Sequence, residues 1–266
     1  MKKWLIVVCL MSLQQVSFAD VTLKLSRYSN NGKQNTFTIL VKHQRLRLDD
    51  DSKRINLFDA QQQRFISQNT RSGKIARMDL GILTQRAKQL NQKRQQRLQK
   101  VLAELDKKRP QMSQTEQEVG EDLINQIKYP QQYGAYTFNR LEKISTQKEI
   151  AGVQCQLYAL KRKKQLLKTL CIANQKQLGI SSQDFNTLID YEEFQYQVES
   201  QINLAMGDAD FDLISLKQQH ISGFVIESRQ QHGKQLRDQQ RLIQISSQAL
   251  EKSPFELPKM SKSQLK

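Results

Sequence analysis

Apolar residues recur along this chain first with a period of two and then with a period near 3.6. Val21, Leu23 and Leu25 alternate with polar neighbours, Asn30-Asn31-Gly32 offers a hairpin turn, and Phe37, Ile39 and Val41 alternate on the return. Leu46 with Leu48, Ile55 with Leu57, and Phe65-Ile66 continue the series between turns at Asp49–Ser52 and Arg71–Lys74. This pattern predicts an antiparallel meander with one apolar face. Residues 80–128 have a helical texture instead, with Leu83, Ala87, Leu90, Leu98, Val101, Leu102 and Leu105 at helical spacing. Pro110 stops that helix, Ser113 and Glu116 form a capping-box signature for a second, and Val119, Leu123 and Ile127 mark its apolar side.

The two-residue period returns from Tyr136 to Ile144 and runs on to Ala173. A third helix, capped by Ser181 or Ser182, carries Phe185, Leu188, Ile189, Glu192 and Tyr196 on successive turns. Phe224 and Ile226, a turn at Gln231–Lys234, and Leu242, Ile243 and Ile245 close the pattern. Strands surround two helical insertions, so the expected class is α+β with a largely antiparallel sheet.

The first nineteen residues change the picture. Met1-Lys2-Lys3 precedes an apolar run from Trp4 to Leu13, and Ser17-Phe18-Ala19 puts small residues before Asp20. These are the three parts of a secretory signal peptide, with a retained membrane anchor as the alternative; the run is shorter than the roughly 20 apolar residues of a spanning helix. The expected organisation is a signal peptide over residues 1–19, one domain over 20–258 with a helical insertion at about 80–128, and a basic tail over 259–266. The expected location is the periplasm, with secretion as the alternative.

Export makes the cysteine count informative. Without Cys9, Cys155 and Cys171 are left in a compartment where disulfides persist. They flank a basic turn centred near Lys163, and two strands around that turn place them directly opposite each other, close to bridging distance. A bridge closing this loop contributes roughly 3 kcal/mol in the chain-entropy account.

The 266 residues include 42 Lys and Arg against 26 Asp and Glu, a net charge of +16. Removing residues 1–19 leaves 40 basic against 26 acidic residues, or +14. Nucleic acid is the reflex partner for such charge, but no nucleic-acid motif is visible and aromatics do not interleave with the basic clusters. Anionic envelope surfaces are the expected partners instead. Between Ile82 and Arg109 there are nine basic and two acidic residues, and Arg86, Lys88, Lys93, Arg94 and Arg97 are the candidate contacts. A solvated helix face is the plain alternative. Glutamine is in excess, at 40 residues.

No catalytic constellation assembles. His43, His220 and His232 are scattered without zinc spacing, and there is neither a nucleophile elbow nor a glycine-rich phosphate loop. Asp208, Asp210 and Asp212 alternate but lack the glycine and final glutamate of a calcium loop. Glu192 and Glu193 read as helix-surface charges rather than an acid/base pair. The expectation is a protein without catalytic residues, metal or cofactor.

A resemblance sharpens this outline. Ala151-Gly152-Val153-Gln154-Cys155, then Cys171-Ile172-Ala173 followed by Leu178-Gly179, with Asp184-Phe185, Leu188 and the closing Phe255-Glu256-Leu257-Pro258, resemble an exported bacterial family of unknown function. That family is similar in fold to the periplasmic lipoprotein carriers and receptors, the LolA-like proteins. The resemblance implies a strongly curved antiparallel sheet, an incomplete barrel, with helices over its concave face. The first reading of function is a module that holds a lipid, a lipoprotein or another amphiphile between sheet and helices, with Phe37, Ile39, Val41, Leu57 and Phe65 as inward-facing lining. Ordinary core is the alternative role for those five. A second reading is an envelope interaction or sensor protein that docks through its basic helix.

Overall fold

The computed structural model describes residues 20–28, 33–50, 54–128, 139–162, 165–206, 214–232, 235–250 and 253–256. The signal segment, the Asn30–Gly32 and Lys163 turns, the Asp208–Asp212 series and the basic tail lie outside the described residues. Eleven strands form one sheet: β1 (Val21–Tyr28), β2 (Gln34–Lys42), β3 (Arg45–Asp49), β4 (Arg54–Asp59), β5 (Arg64–Asn69), β6 (Ile75–Asp79), β7 (Asn139–Ile150), β8 (Val153–Arg162), β9 (Gln165–Ala173), β10 (Phe224–His232) and β11 (Gln235–Ser247). Their order is β6-β5-β4-β3-β2-β1-β11-β10-β9-β8-β7, antiparallel throughout, with β6 and β7 as open edges. The fold is α+β. Helices α1 (Leu80–Lys108) and α2 (Gln114–Lys128), joined by a 3-10 turn at Arg109–Gln111, are inserted between β6 and β7. Helices α3 (Gln175–Leu178) and α4 (Ser182–Met206) are inserted between β9 and β10.

One apolar core takes residues from both wings of the sheet. It joins Val21, Leu23 and Leu25 of β1 to Phe58 of β4, Ile150 of β7, Cys171 of β9, Ile226 of β10, Leu242 of β11, and Phe185, Leu188 and Phe194 of α4. Laid flat, eleven strands would span about 48 Å, so convergence on one helix requires the sheet to curve around α4. Helix α1 packs along α4 in turn, and Leu83 and Leu98 are its buried residues. Held between sheet and α1, α4 has no single apolar stripe; nearly every side chain from Thr187 to Asn203 is at least half-buried.

Local chemistry sets the element ends. Asp79, a residue of the unforeseen edge strand β6, caps α1 by accepting from the Ile82 N–H at 2.8 Å. The expected capping box forms as Ser113 and Glu116 exchange hydrogen bonds. Ser181, not Ser182, caps α4, its hydroxyl accepting from the Asp184 N–H at 3.1 Å. The motif residues that carried the family resemblance are architectural as well. Ala151 and Gly152, at φ 51° and 78°, make the two-residue turn between β7 and β8, a pairing of positive φ values that favours glycine. Asn174 and Gln177 form the capping box of α3, and Gly179 closes it with φ 67°.

Cys155 and Cys171 are joined, with Cα atoms 5.5 Å apart. They are not directly opposite. The β8–β9 register slips by one residue around Leu167, so Cys171 pairs with Leu157 and the bridge crosses the ladder diagonally. Cys155 pairs with Lys148 on β7, Cys171 with Glu227 on β10, and Lys148 reaches across to ion-pair with Glu227. Glu227 is 3% exposed and also meets Arg229 at 3.0 Å, Arg241 at 3.7 Å and the Gln239 amide at 3.2 Å. A second clasp ties the start of β1 to the segment after β11: the Asp20 carboxylate accepts from Lys42 at 2.8 Å and from the Leu250 N–H at 2.6 Å.

A candidate ligand cavity between helix α4 and the sheet

A cavity of about 760 Å³ lies between α4 and the concave side of the sheet. The register explains its polarity. Arg27 of β1 stands opposite Asn35 of β2 and Gln240 of β11, and Asp50 follows the same end of β3. Lys168 of β9 and Glu199, two turns beyond Glu192 on α4, complete a polar mouth. Further along β1 and β2 the walls turn apolar: Ile39, Leu170, Leu216 and Phe224 are buried and Phe37 and Leu48 half-buried, while the buried Leu160 stands directly opposite Lys168. A hydrophobic trough with a charged mouth is complementary to an amphiphile.

Helix α4 supplies the inner wall through Tyr191, Glu192, Gln195, Tyr196 and Glu199. Its placement is fixed at several points. The Thr187 hydroxyl donates to the His43 carbonyl at 2.6 Å, in the β2–β3 turn where His43 adopts φ 55°. Glu193 accepts from the Ser215 hydroxyl at 2.5 Å, and Tyr191 packs edge-on against Phe58 at 5.5 Å between ring centres. Glu192 faces the cavity, one oxygen accepting from the Val225 N–H at 3.4 Å. Burial pushes its carboxyl up to about 8, only partly countered by the Val225 hydrogen bond. Glu199 is also raised by burial, against the opposing pull of Lys168 and Arg27. Glu192 and Glu193 are therefore not helix-surface charges: one is held neutral in a cavity wall, the other bonds the 214–221 segment.

The five candidate lining residues separate. Phe37 and Ile39 line the cavity. Val41 is buried in the core, and Phe65 stacks on Tyr191 at 6.5 Å outside the cavity. Leu57 faces the other way. Phe58 pairs with Leu46 and Phe65 on the inner side, so strand alternation turns Leu57 outward with Arg47 and Ile66. On that outer face Arg45 and Arg47 hold the carbonyls of Phe255 and Pro254.

The five candidate basic residues also separate. Successive α-helical residues are about 100° apart, which puts Arg86, Lys93 and Arg97 within about 40° of one another, together with Lys100; all four are exposed. Lys88 projects to nearly the opposite side. Arg94 is half-buried on the flank shared with Leu83 and Leu98. Among the described residues, no group of three or more His, Cys, Asp or Glu side chains is placed to hold a metal ion, and no helix is long and apolar enough to cross a membrane.

Of the cavity's lining, sequence patterning named Phe37 and Ile39 alone; Glu192 and Glu199 are among the residues it missed. Their signal was present: Glu192 falls in the Phe185–Leu188–Tyr196 stripe, where a solvated charge does not belong. A group with a raised carboxyl makes a stability prediction. Glu192 ionises at its ordinary value when unfolded but not until about pH 8 when folded, so its burial destabilises the fold progressively as pH rises through that window. Glu192→Gln should leave stability nearly unchanged at pH 4 and raise it by up to about 5 kcal/mol at pH 9, read from urea unfolding at both values; an equal effect at both would contradict the burial.

No protein-family model matches the chain, and no curated protein matches it. Several solved structures align with most of its length at low identity. A chain of the Pseudomonas aeruginosa MucA/MucB complex aligns over 90% of this chain and 55% of its own length, at 10% identity and a TM-score of 0.39. MucB alone aligns over 90% and 57%, at 10% identity and 0.33. PNGF-II aligns over 89% and 29%, at 8% identity and 0.36. The chain thus spans little more than half the length of the MucB-type structures it matches.

Proposed function

We propose that this is an exported, periplasmic, non-enzymatic binding protein that holds an amphiphile, a lipid or the acyl part of a lipoprotein, between α4 and the sheet. The observation that carries this reading is the cavity's polarity gradient, from Arg27, Lys168 and Glu199 at the mouth to Phe37, Ile39, Leu170 and Phe224 within. Its volume lies within the range of small-molecule sites. The signal-peptide pattern and the Cys155–Cys171 bridge agree with an oxidising, extracytoplasmic setting. Native mass spectrometry of protein purified from the periplasm should show a lipid-mass adduct that Ile39→Trp, which fills the cavity, displaces. A clean apo mass for the wild-type chain would overturn the reading.

A second reading, docking on an anionic envelope surface, has its own support in the stripe formed by Arg86, Lys93, Arg97 and Lys100. Replacing Arg86, Lys93 and Arg97 together by Gln should abolish sedimentation with phosphatidylglycerol vesicles at low salt, whereas Lys88→Gln should have little effect. Unchanged sedimentation of the triple variant would exclude the stripe as the contact.

A further inference from the structure

We propose that Glu192 sets the ligand selectivity of the cavity, its carboxylic acid O–H donating to an uncharged acceptor, an ester or amide carbonyl, in the bound amphiphile. This inference rests on the binding reading above and adds to it the chemical class of the ligand.

The geometry isolates Glu192. The Val225 N–H at 3.4 Å takes one carboxyl oxygen, and among the described residues it is the only hydrogen-bond partner of that side chain. The charged groups of the cavity sit elsewhere. Arg27 of β1, Lys168 of β9, Asp50 after β3 and Glu199 of α4 gather at the mouth, and seven residues of helix put Glu199 about 10 Å along the axis from Glu192. On α4 itself Glu193 is turned to Ser215, and Asp190 interacts with Lys217 of the 214–221 segment. Tyr191 is the adjacent titratable group, and burial raises its phenol further above the ordinary value. Among the described residues no cation therefore compensates a carboxylate at position 192, and burial favours its protonated form at neutral pH.

A protonated carboxyl has one donor besides its acceptor oxygens. With Val225 on the acceptor side, the donor is left facing an apolar space, where an unmet hydrogen bond is costly. A ligand that is hydrocarbon throughout leaves that donor unmet. A cationic ligand would have to strip the proton and bury an ion pair, at a desolvation cost for both charges. An ester or amide carbonyl meets the donor without moving any charge.

Calorimetric titration with 1-monolauroylglycerol and dodecylamine, below their aggregation concentrations, tests this. At pH 6.5 the wild-type chain should bind the ester at least tenfold more tightly than the amine, and ester binding should weaken about tenfold at pH 9.5, where Glu192 has ionised. Glu192→Gln, which keeps a donor, should hold ester affinity within about threefold at both pH values. Glu192→Leu should lose about tenfold at pH 6.5. Preference for the amine, abolished in Glu192→Gln, would overturn the proposal in favour of a cationic ligand. Equal ester binding by wild type and Glu192→Leu would overturn it while leaving the cavity reading intact. Failure of the wild-type chain to bind either compound would overturn both.

Discussion

The clamping of α4 inside the curve of the sheet is the constraint on which the rest of this structure depends. A helix that carries Glu192, Glu193, Gln195, Gln197 and Glu199 through its middle would ordinarily sit on a surface, yet here it is covered by the sheet on one side and by α1 on another. Its burial is made tolerable because its polar groups are met one by one: Thr187 by the His43 carbonyl, Asp184 by Ser181, Glu193 by Ser215. Glu192 is left with only a long contact to Val225. The cavity is the space that this imperfect fit leaves, and Glu192 is on its wall.

The sheet is held to this shape from outside as well. Glu227, nearly inaccessible, gathers Lys148, Arg229 and Arg241 on the side of the ladder that carries the disulfide. Removing one partner of such a buried charge cluster is far more costly than an exposed pair, whose worth is a few tenths of a kcal/mol to about 1. The Asp20–Lys42–Leu250 clasp does the same where β1 begins and the segment after β11 passes. Part of the charge that stands out in the composition is thus spent on architecture, while the Arg86–Lys93–Arg97–Lys100 stripe is exposed.

Sequence patterning reads most of the strands, the helical texture of residues 80–128, the Ser113–Glu116 capping box and the cysteine pair because each is written in neighbouring residues; the edge strand β6 and the Asn174–Gln177 capping box escaped it. It fails where long-range pairing decides. Leu57 and Phe58 are adjacent apolar residues, and only the register against Leu46 and Phe65 turns Phe58 inward. The slip at Leu167 that displaces Cys171 from Cys155 leaves no local signature. Arg94 reads as one more basic residue until α1 is laid on α4 and takes Arg94 to the covered flank. Glu192 was legible as a misplaced charge within an apolar stripe, but its meaning depended on the strands that face it. The residues of the family-like motif turn out to build a turn, a bridge and a helix cap, which explains the resemblance without naming a ligand.

The most direct test of this account is a crystal structure of the chain isolated from its own periplasm without delipidation. The account predicts continuous elongated density along Tyr191, Glu192 and Tyr196, emerging between Arg27, Lys168 and Glu199. Collapsed side chains from Phe37, Leu170 and Phe224 filling that space against α4 would contradict it.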